Sequence, residues 1–155
     1  MSKVIWQAVG ACVMALTVMA QADTLDVCPS GCTYDTIQGA IDAAVENDTI
    51  EIGPGTYFEN LAIDGKTLTL VGLAGRDATI VDAQFDGRCL SIENVTGVTT
   101  ISGLTFQKGY LGTIGIDFDW LGGGVYADNV STIHLRDAAV LKCIISNQSG
   151  DHALY

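Results

Sequence analysis

Ile37, Ala40, Ile41, Ala44 and Val45 fall at i, i+3, i+4, i+7 and i+8, which puts one apolar stripe along a helix. Asp35 as N-cap with Gln38 three residues on is a capping-box-like start, and Asn47 is a stop signal. The pattern predicts a helix over about 35–46 with one greasy face that must cover something. From Thr49 the pattern changes to short β-rich runs bounded by Gly, Asn or Asp. They are Thr49–Ile52, Asn60–Ile63, Thr67–Val71, Thr79–Val81, Cys89–Glu93, Val98–Ser102, Leu104–Gln107, Val125–Ala127, Thr132–Leu135 and Ala139–Ser146. None is long enough for a wide meander, so the strands must turn corners. The hairpin dipeptide Asn-Gly is absent and Asp-Gly occurs only at Asp64-Gly65 and Asp86-Gly87, which weakens an antiparallel sandwich.

Imperfect repeats sharpen this picture. Leu90-Ser91-Ile92-Glu93-Asn94 matches Val125-Tyr126-Ala127-Asp128-Asn129 at an offset of 35, and Val71-Gly72-Leu73 recurs as Ser102-Gly103-Leu104 at an offset of 31. A third block carries the spacing of Ile101, Leu104 and Phe106 at Val140, Cys143 and Ile145. Periods of about 20–50 residues mark solenoids, and strand-only repeats select a β-helix. The class is therefore all-β, a parallel β-helix. Inward side chains stack in ladders and the helix covers the open edge of the first coil. The other end, His152-Ala153-Leu154-Tyr155, has no capping segment, so either the chain is incomplete there or another chain covers that edge. Asn94, Asn129 and Asn147 close strand-like runs, where stacked Asn side chains in left-handed turns would explain them. With Asn47 they also form Asn-x-Ser/Thr sequons, so glycosylation is a second reading.

The segments Tyr34–Ala44, Ile50–Asn60 and Leu68–Gly72 resemble the opening of right-handed parallel β-helix proteins of the pectin-lyase-like superfamily. Gly122-Gly123-Gly124-Val125-Tyr126 and Cys143-Ile144-Ile145-Ser146-Asn147 look like later coils of its bacterial surface members. The resemblance implies a right-handed solenoid. It does not select an activity, because that superfamily holds lyases, esterases, glycosidases, adhesins and inert domains.

Charge and export narrow the partners. Lys3, the apolar stretch Val4–Met19 and the small-x-small close Ala20-Gln21-Ala22 read as a signal peptide over residues 1–22, with Asp23 as the mature N-terminus. A retained anchor is the second reading, against which Gln7 interrupts the apolar run. No later segment is apolar and long enough to span a bilayer. Of 155 residues, 133 then remain, one domain over 23–155 with coils from about 49. Loss of Lys3 takes the formal charge from −11 to −12. Such a field disfavours nucleic acid, anionic membranes and polyanionic sugars unless divalent cations intervene. The expected location is secreted, periplasmic or cell-surface. Export permits disulfides, and Cys28-Pro29-Ser30-Gly31-Cys32 has turn formers between its thiols. Cys89 and Cys143 sit in apolar runs and read as small hydrophobes.

No catalytic constellation can be assembled. An esterase of the resembled superfamily needs two Asp with Arg and Gln, and its segments lie beyond the matching part. A polygalacturonase-like enzyme needs Arg-x-Lys, which is absent. A pectate-lyase-like one needs Ca²⁺ on carboxylates and an Arg or Lys base. His134 and Arg136 alternate with Ile133 and Leu135 and should face outward, with Asp137 turning the corner. The better candidate is the excursion Gly109–Leu121, because solenoid insertions project from one face. Within it Tyr110 and Trp120 suit stacking on sugar rings, and Asp117 and Asp119 suit hydroxyls or Ca²⁺. The bland alternative is that the aromatics pack the loop down while the carboxylates face water. No cofactor is expected, and an Asp-x-Asp pair alone falls short of the oxygens Ca²⁺ takes. The reading is an interaction or glycan-recognition domain, with a polysaccharide lyase or esterase lacking its catalytic coils as the alternative.

Overall fold

The structure is a computed structural model that describes residues 21–111, 123–141, 144–146 and 152–154, the last two segments in backbone only. It is strand-dominated, and the strands form parallel sheets. β1 (Thr24–Val27), α1 (Ile37–Ala43), β2 (Thr49–Ile52), β3 (Gly55–Tyr57), β4 (Leu61–Asp64), β5 (Thr69–Gly72), β6 (Thr79–Asp82), β7 (Leu90–Ser102), β8 (Thr105–Gln107), β9 (Tyr110–Leu111), β10 (Val125–Arg136) and β11 (Ala139–Leu141) follow in order. β12 (Ile144–Ser146) and β13 (His152–Leu154) close the series.

The strands stack as three faces. One runs β4–β7–β10 through the first part of each long strand, with Leu61, Leu90 and Val125 in one column. The second runs β1–β2–β5 and continues into the later parts of β7 and β10, placing Leu25, Ile50, Leu70, Ile101 and Leu135 in a column. The third runs β3–β6–β8–β11, with Tyr57 on Val81, Val81 on Phe106 and Phe106 on Val140. All these pairings are parallel. Alternation places the interior: Leu61 and Ile63, Leu70, Ile92 and Ile101 are buried while their neighbours are half-buried or exposed, as period-2 pleating requires.

Both repeats seen in the sequence are stacked pairs. Val125 lies on Leu90 and Asp128 on Glu93, while Val71 lies on Ser102. The 31-residue repeat fails at its third position, since Leu73 is exposed and Leu104 is fully buried. The third block is misaligned: Val140 stacks on Phe106, while Leu135 holds the place above Ile101. Stacked positions there lie 34 residues apart, as Leu135 does from Ile101, whereas the matched spacing set Val140 on Ile101, 39 residues away. Cys143 lies outside the described residues.

The helix is shorter than the expected 35–46 span. Its N-cap is Thr36, whose side chain accepts from Gly39 N at 3.2 Å, and not Asp35. Ala44 turns extended at the C-cap, so Val45 leaves the stripe and is exposed, whereas Ile37, Ala40 and Ile41 are buried. Glu59 accepts from Ile37 N (2.9 Å) and Gln38 N (2.8 Å), satisfying donors that a helix start leaves open. At the other end Lys66 Nζ donates to Ile41 O (2.8 Å) and Ala44 O (3.0 Å). The Gln38 amide accepts from Ala62 N (2.8 Å) and donates to Ala62 O (3.2 Å). A helix side chain thus serves as strand partner to the otherwise open edge of β4. Tyr57 reaches through the core to donate to Gly53 O at 2.9 Å. Burial, with the charge of Glu59 adding, pushes its phenol above the ordinary value.

At the far end β12 pairs parallel with β9 and antiparallel with β13. The segment expected to end without partner strands therefore supplies one. Among the described residues no helix is long and apolar enough to cross a membrane.

Candidate functional site

Each turn of the stack has three corners, and they behave differently. The corner between the first and second faces is held by one left-handed residue per coil: Gly65 (φ 67), Asn94 (φ 55) and Asn129 (φ 50). Asn129 Nδ2 donates to Asn94 Oδ1 and Asn94 Nδ2 to Asp64 Oδ1, both at 2.9 Å. This is the Asn ladder expected from the sequence, with Asp64 as its lowest rung. Asn147 lies outside the described residues. The corner between the second and third faces brings Gly72 against Gly103, where a Cβ on either would run into the other's backbone carbonyl.

The third corner, from the third face back to the first, lengthens coil by coil. It is residues 58–60, then 83–89, then 108–124. An exposed or half-exposed aromatic sits there on every coil: Phe58, Phe85 and Tyr110. Phe58 and Phe85 are 62% and 44% exposed, values that set them apart from the interior aromatics Tyr57 and Phe106.

The middle connection is the best braced. Gln84 (φ 53) and Phe85 (φ 62) are consecutive left-handed residues, a conformation that costs a bulky side chain about 1–2 kcal/mol. Phe85 N donates to Lys108 O (2.7 Å), Asp86 N to Ala83 O (2.8 Å) and Gln84 N to Asp82 Oδ1 (2.9 Å). Asp82 is 2% exposed, and its Oδ2 accepts from Gln107 Nε2 (2.8 Å) and Lys108 Nζ (2.6 Å). Burial drives its carboxyl upward. The Lys108 hydrogen bond, the Gln84 and Gln107 donors and the Lys108 charge outweigh that and hold it below the usual carboxylate range. A carboxylate with both oxygens occupied and its proton affinity lowered is a clamp, poorly suited to act as base or nucleophile.

Above this clamp, the Arg88 guanidinium lies 4.0 Å from the centroid of Tyr126, cation–π distance, and Arg88 Nε is buried without a hydrogen bond. Asn60 Nδ2 donates to Arg88 O at 2.6 Å, tying the first connection to the second. Tyr110 N donates to Gly87 O at 2.6 Å, tying the third to it. Tyr110 is thus placed at the corner by β9. Asp117, Asp119 and Trp120 lie outside the described residues, on the same connection by sequence. Phe58, Phe85 and Arg88 were missed by sequence reasoning. The signal for them was the position of each on the connection that follows a third-face strand, visible only once the faces are assigned.

The remaining candidates separate from this corner. His134 and Arg136 are exposed on β10, and Asp137 turns its corner at φ 44 with Oδ1 3.4 Å from Arg76 Nε. Cys28 and Cys32 are disulfide-bonded with Cα atoms 5.5 Å apart, at the opposite end of the stack. Cys89 is buried and donates to Gln107 O at 3.2 Å. Among the described residues no three His, Cys, Asp or Glu side chains gather as a group that could hold a metal ion. No protein-family model and no curated protein sequence matches the chain.

Proposed function

We propose that this chain is an exported right-handed parallel β-helix of the pectin-lyase-like kind, whose coils present a carbohydrate-recognition surface at the lengthening corner. The observation that carries the reading is the recurrence of Phe58, Phe85 and Tyr110 at the one corner whose connection grows with each of three successive coils. Aromatic faces stack on pyranose rings at low conformational cost, and a rigid scaffold that offers them on loops is the usual arrangement of binding sites. The consecutive left-handed residues Gln84 and Phe85 keep one such face in a fixed, strained pose. Asp117, Asp119 and Trp120 follow Tyr110 on the third connection in sequence. The saturated Asp82 supports binding over catalysis. The net charge of −12 after export favours neutral glycans over uronic-acid polymers.

Affinity electrophoresis through neutral polysaccharides and through polyuronates tests this, alongside assays for unsaturated product and released methanol with and without Ca²⁺. Retardation by a neutral glycan is expected, weakened about tenfold in Phe85→Ala and in Tyr110→Ala with the circular dichroism unchanged. Turnover of a polyuronate would replace the reading with a lyase or esterase. Migration unaffected by every glycan would remove carbohydrate recognition altogether.

A further inference from the structure

The first backbone bond of the fold is made by Asp23. Its carbonyl accepts from Thr49 N at 2.9 Å, opening the β1–β2 ladder, and its own nitrogen donates to Asp48 Oδ1 at 2.8 Å. Asp48 is 3% exposed, and its second oxygen accepts from Val45 N at 2.8 Å. These two neutral amides are its only hydrogen-bond donors among the described residues. The cavity beside it, about 420 Å³, is lined by Asp23, Asp26, Asp48, Thr33, Tyr34 and Val45 among others, with no Lys or Arg in its wall. Asp26 is already committed to Thr33, whose hydroxyl and amide donate to it at 2.6 and 3.0 Å. A buried carboxylate held by neutral donors alone is electrically incomplete.

The sequence supplies the missing charge at that very atom. Cleavage after Ala20-Gln21-Ala22 adds water across the Ala22–Asp23 peptide bond. The carbonyl carbon takes the water's oxygen and leaves as the Ala22 carboxylate, and the nitrogen, released from that carbon, takes both of the water's protons to become the Asp23 α-ammonium. We infer that Asp48 is the receptor for this newly made N-terminus, so that signal-peptide removal converts an amide hydrogen bond into a part-buried ion pair and locks the first strand onto the stack. The inference rests on the export reading, since a signal peptidase must make the cut. Charge-assisted hydrogen bonds are roughly twice as strong as neutral ones, and Ala22 and Asp23 are exposed, so nothing on the fold has to move.

The test compares the exported, processed protein with a form carrying one glycine inserted between Ala22 and Asp23. Insertion keeps the Asp23 amide on Asp48 but moves the ammonium one residue away, about 3.8 Å along the chain. Intact mass must give Asp23 as the first residue. Any other start overturns both the processing and the pairing. With Asp23 first, urea titration should show the native form with a folded-to-unfolded ratio about five- to tenfold above the inserted form. That gap should vanish when both carry Asp48→Asn. Equal stability of the two Asp48 forms would overturn the pairing while leaving export standing. Should Asp48→Asn fail to fold, acylation of the α-amine at neutral pH decides. Slower labelling of Asp23 than of the inserted glycine supports the ion pair, and equal rates overturn it.

Discussion

Two corners of the same stack of parallel strands solve one geometric problem in opposite ways. At the corner of Gly65, Asn94 and Asn129 a single left-handed residue per coil reverses the chain, and side-chain amides repeat up the stack. At the corner of residues 58–60, 83–89 and 108–124 the connection grows with each coil, and its bends are held by bonds that differ every time. The tight corners, that of Gly72 and Gly103 among them, fix the spacing of the coils. The wide one is relieved of that duty and can carry exposed aromatics. Conformational strain follows the same division. Asn tolerates the left-handed region and Gly prefers it, whereas Gln84 and Phe85 occupy it at a cost that bracing by Lys108 O and Asp82 must offset.

If the tight corners set the spacing, filling one should do more damage than any change at the wide corner. Gly72→Ala puts a methyl into the Gly103 carbonyl, and neither backbone can withdraw without breaking the ladder on both sides. We expect a loss of about 3 kcal/mol or more in urea titration. A loss under about 1 kcal/mol would mean that the coils can slide apart, and the contrast between corners would dissolve.

The wide corner has its own anchor, and the second prediction locates it. Lys108→Met leaves Asp82 buried with its amide donors but no cation. For a fully buried pair the loss is about 3–5 kcal/mol. Because the Lys108 side chain is 35% exposed, about 2 kcal/mol is expected here after discounting for solvent. The folded carboxyl of Asp82 lies below its ordinary value of about 3.9. Its contribution is therefore full above that ordinary value and is lost as pH falls through the lowered folded value. Urea midpoints measured from pH 7 down to pH 2 should show this fall in the native protein and a shallower one in Asp82→Asn. Parallel curves would show that the clamp is not what holds the corner.

The two kinds of corner also differ in how readable they were. Val71/Ser102 and Leu90/Val125 could be paired from the sequence because residues within stacked strands keep one register, so the pattern around each recurs in phase there even though the coils differ in length. The third block failed because apolar residues spaced alike at Val140, Cys143 and Ile145 lie 39 residues from Ile101, Leu104 and Phe106, five more than the 34 that separate stacked positions there. Asn94 and Asn129 were legible since Asn closes both runs, and Cys28–Cys32 since turn residues separate the thiols. The helix was placed but overextended. The stripe continues in sequence through Val45, while Lys66 and the turn at Ala44 end it in space, and no local pattern encodes a cap supplied from more than twenty residues away. Phe58, Phe85 and Arg88 carry no motif at all. They become a surface only because three faces bring their connections to one edge.

The smallest effect separates backbone from side chain within the tight corner itself. Asn94 contributes a left-handed φ of 55° and two exposed hydrogen bonds, one donated to Asp64 and one accepted from Asn129. Exposed bonds of this kind contribute at the low end, about 0.5 kcal/mol each, and a Cβ without a local polar group costs about 1 kcal/mol in that conformation. Asn94→Ala should therefore lose about 1–2 kcal/mol. Asn94→Gly, which breaks the same bonds but relaxes the backbone, should lose about 1 kcal/mol or less. Neither should alter the glycan retardation proposed for the far corner. A result in which Gly is no better than Ala would place the value of this column in its amides, and a glycan joined to Asn94 Nδ2 would then be expected to unsettle the ladder as strongly as the substitution does.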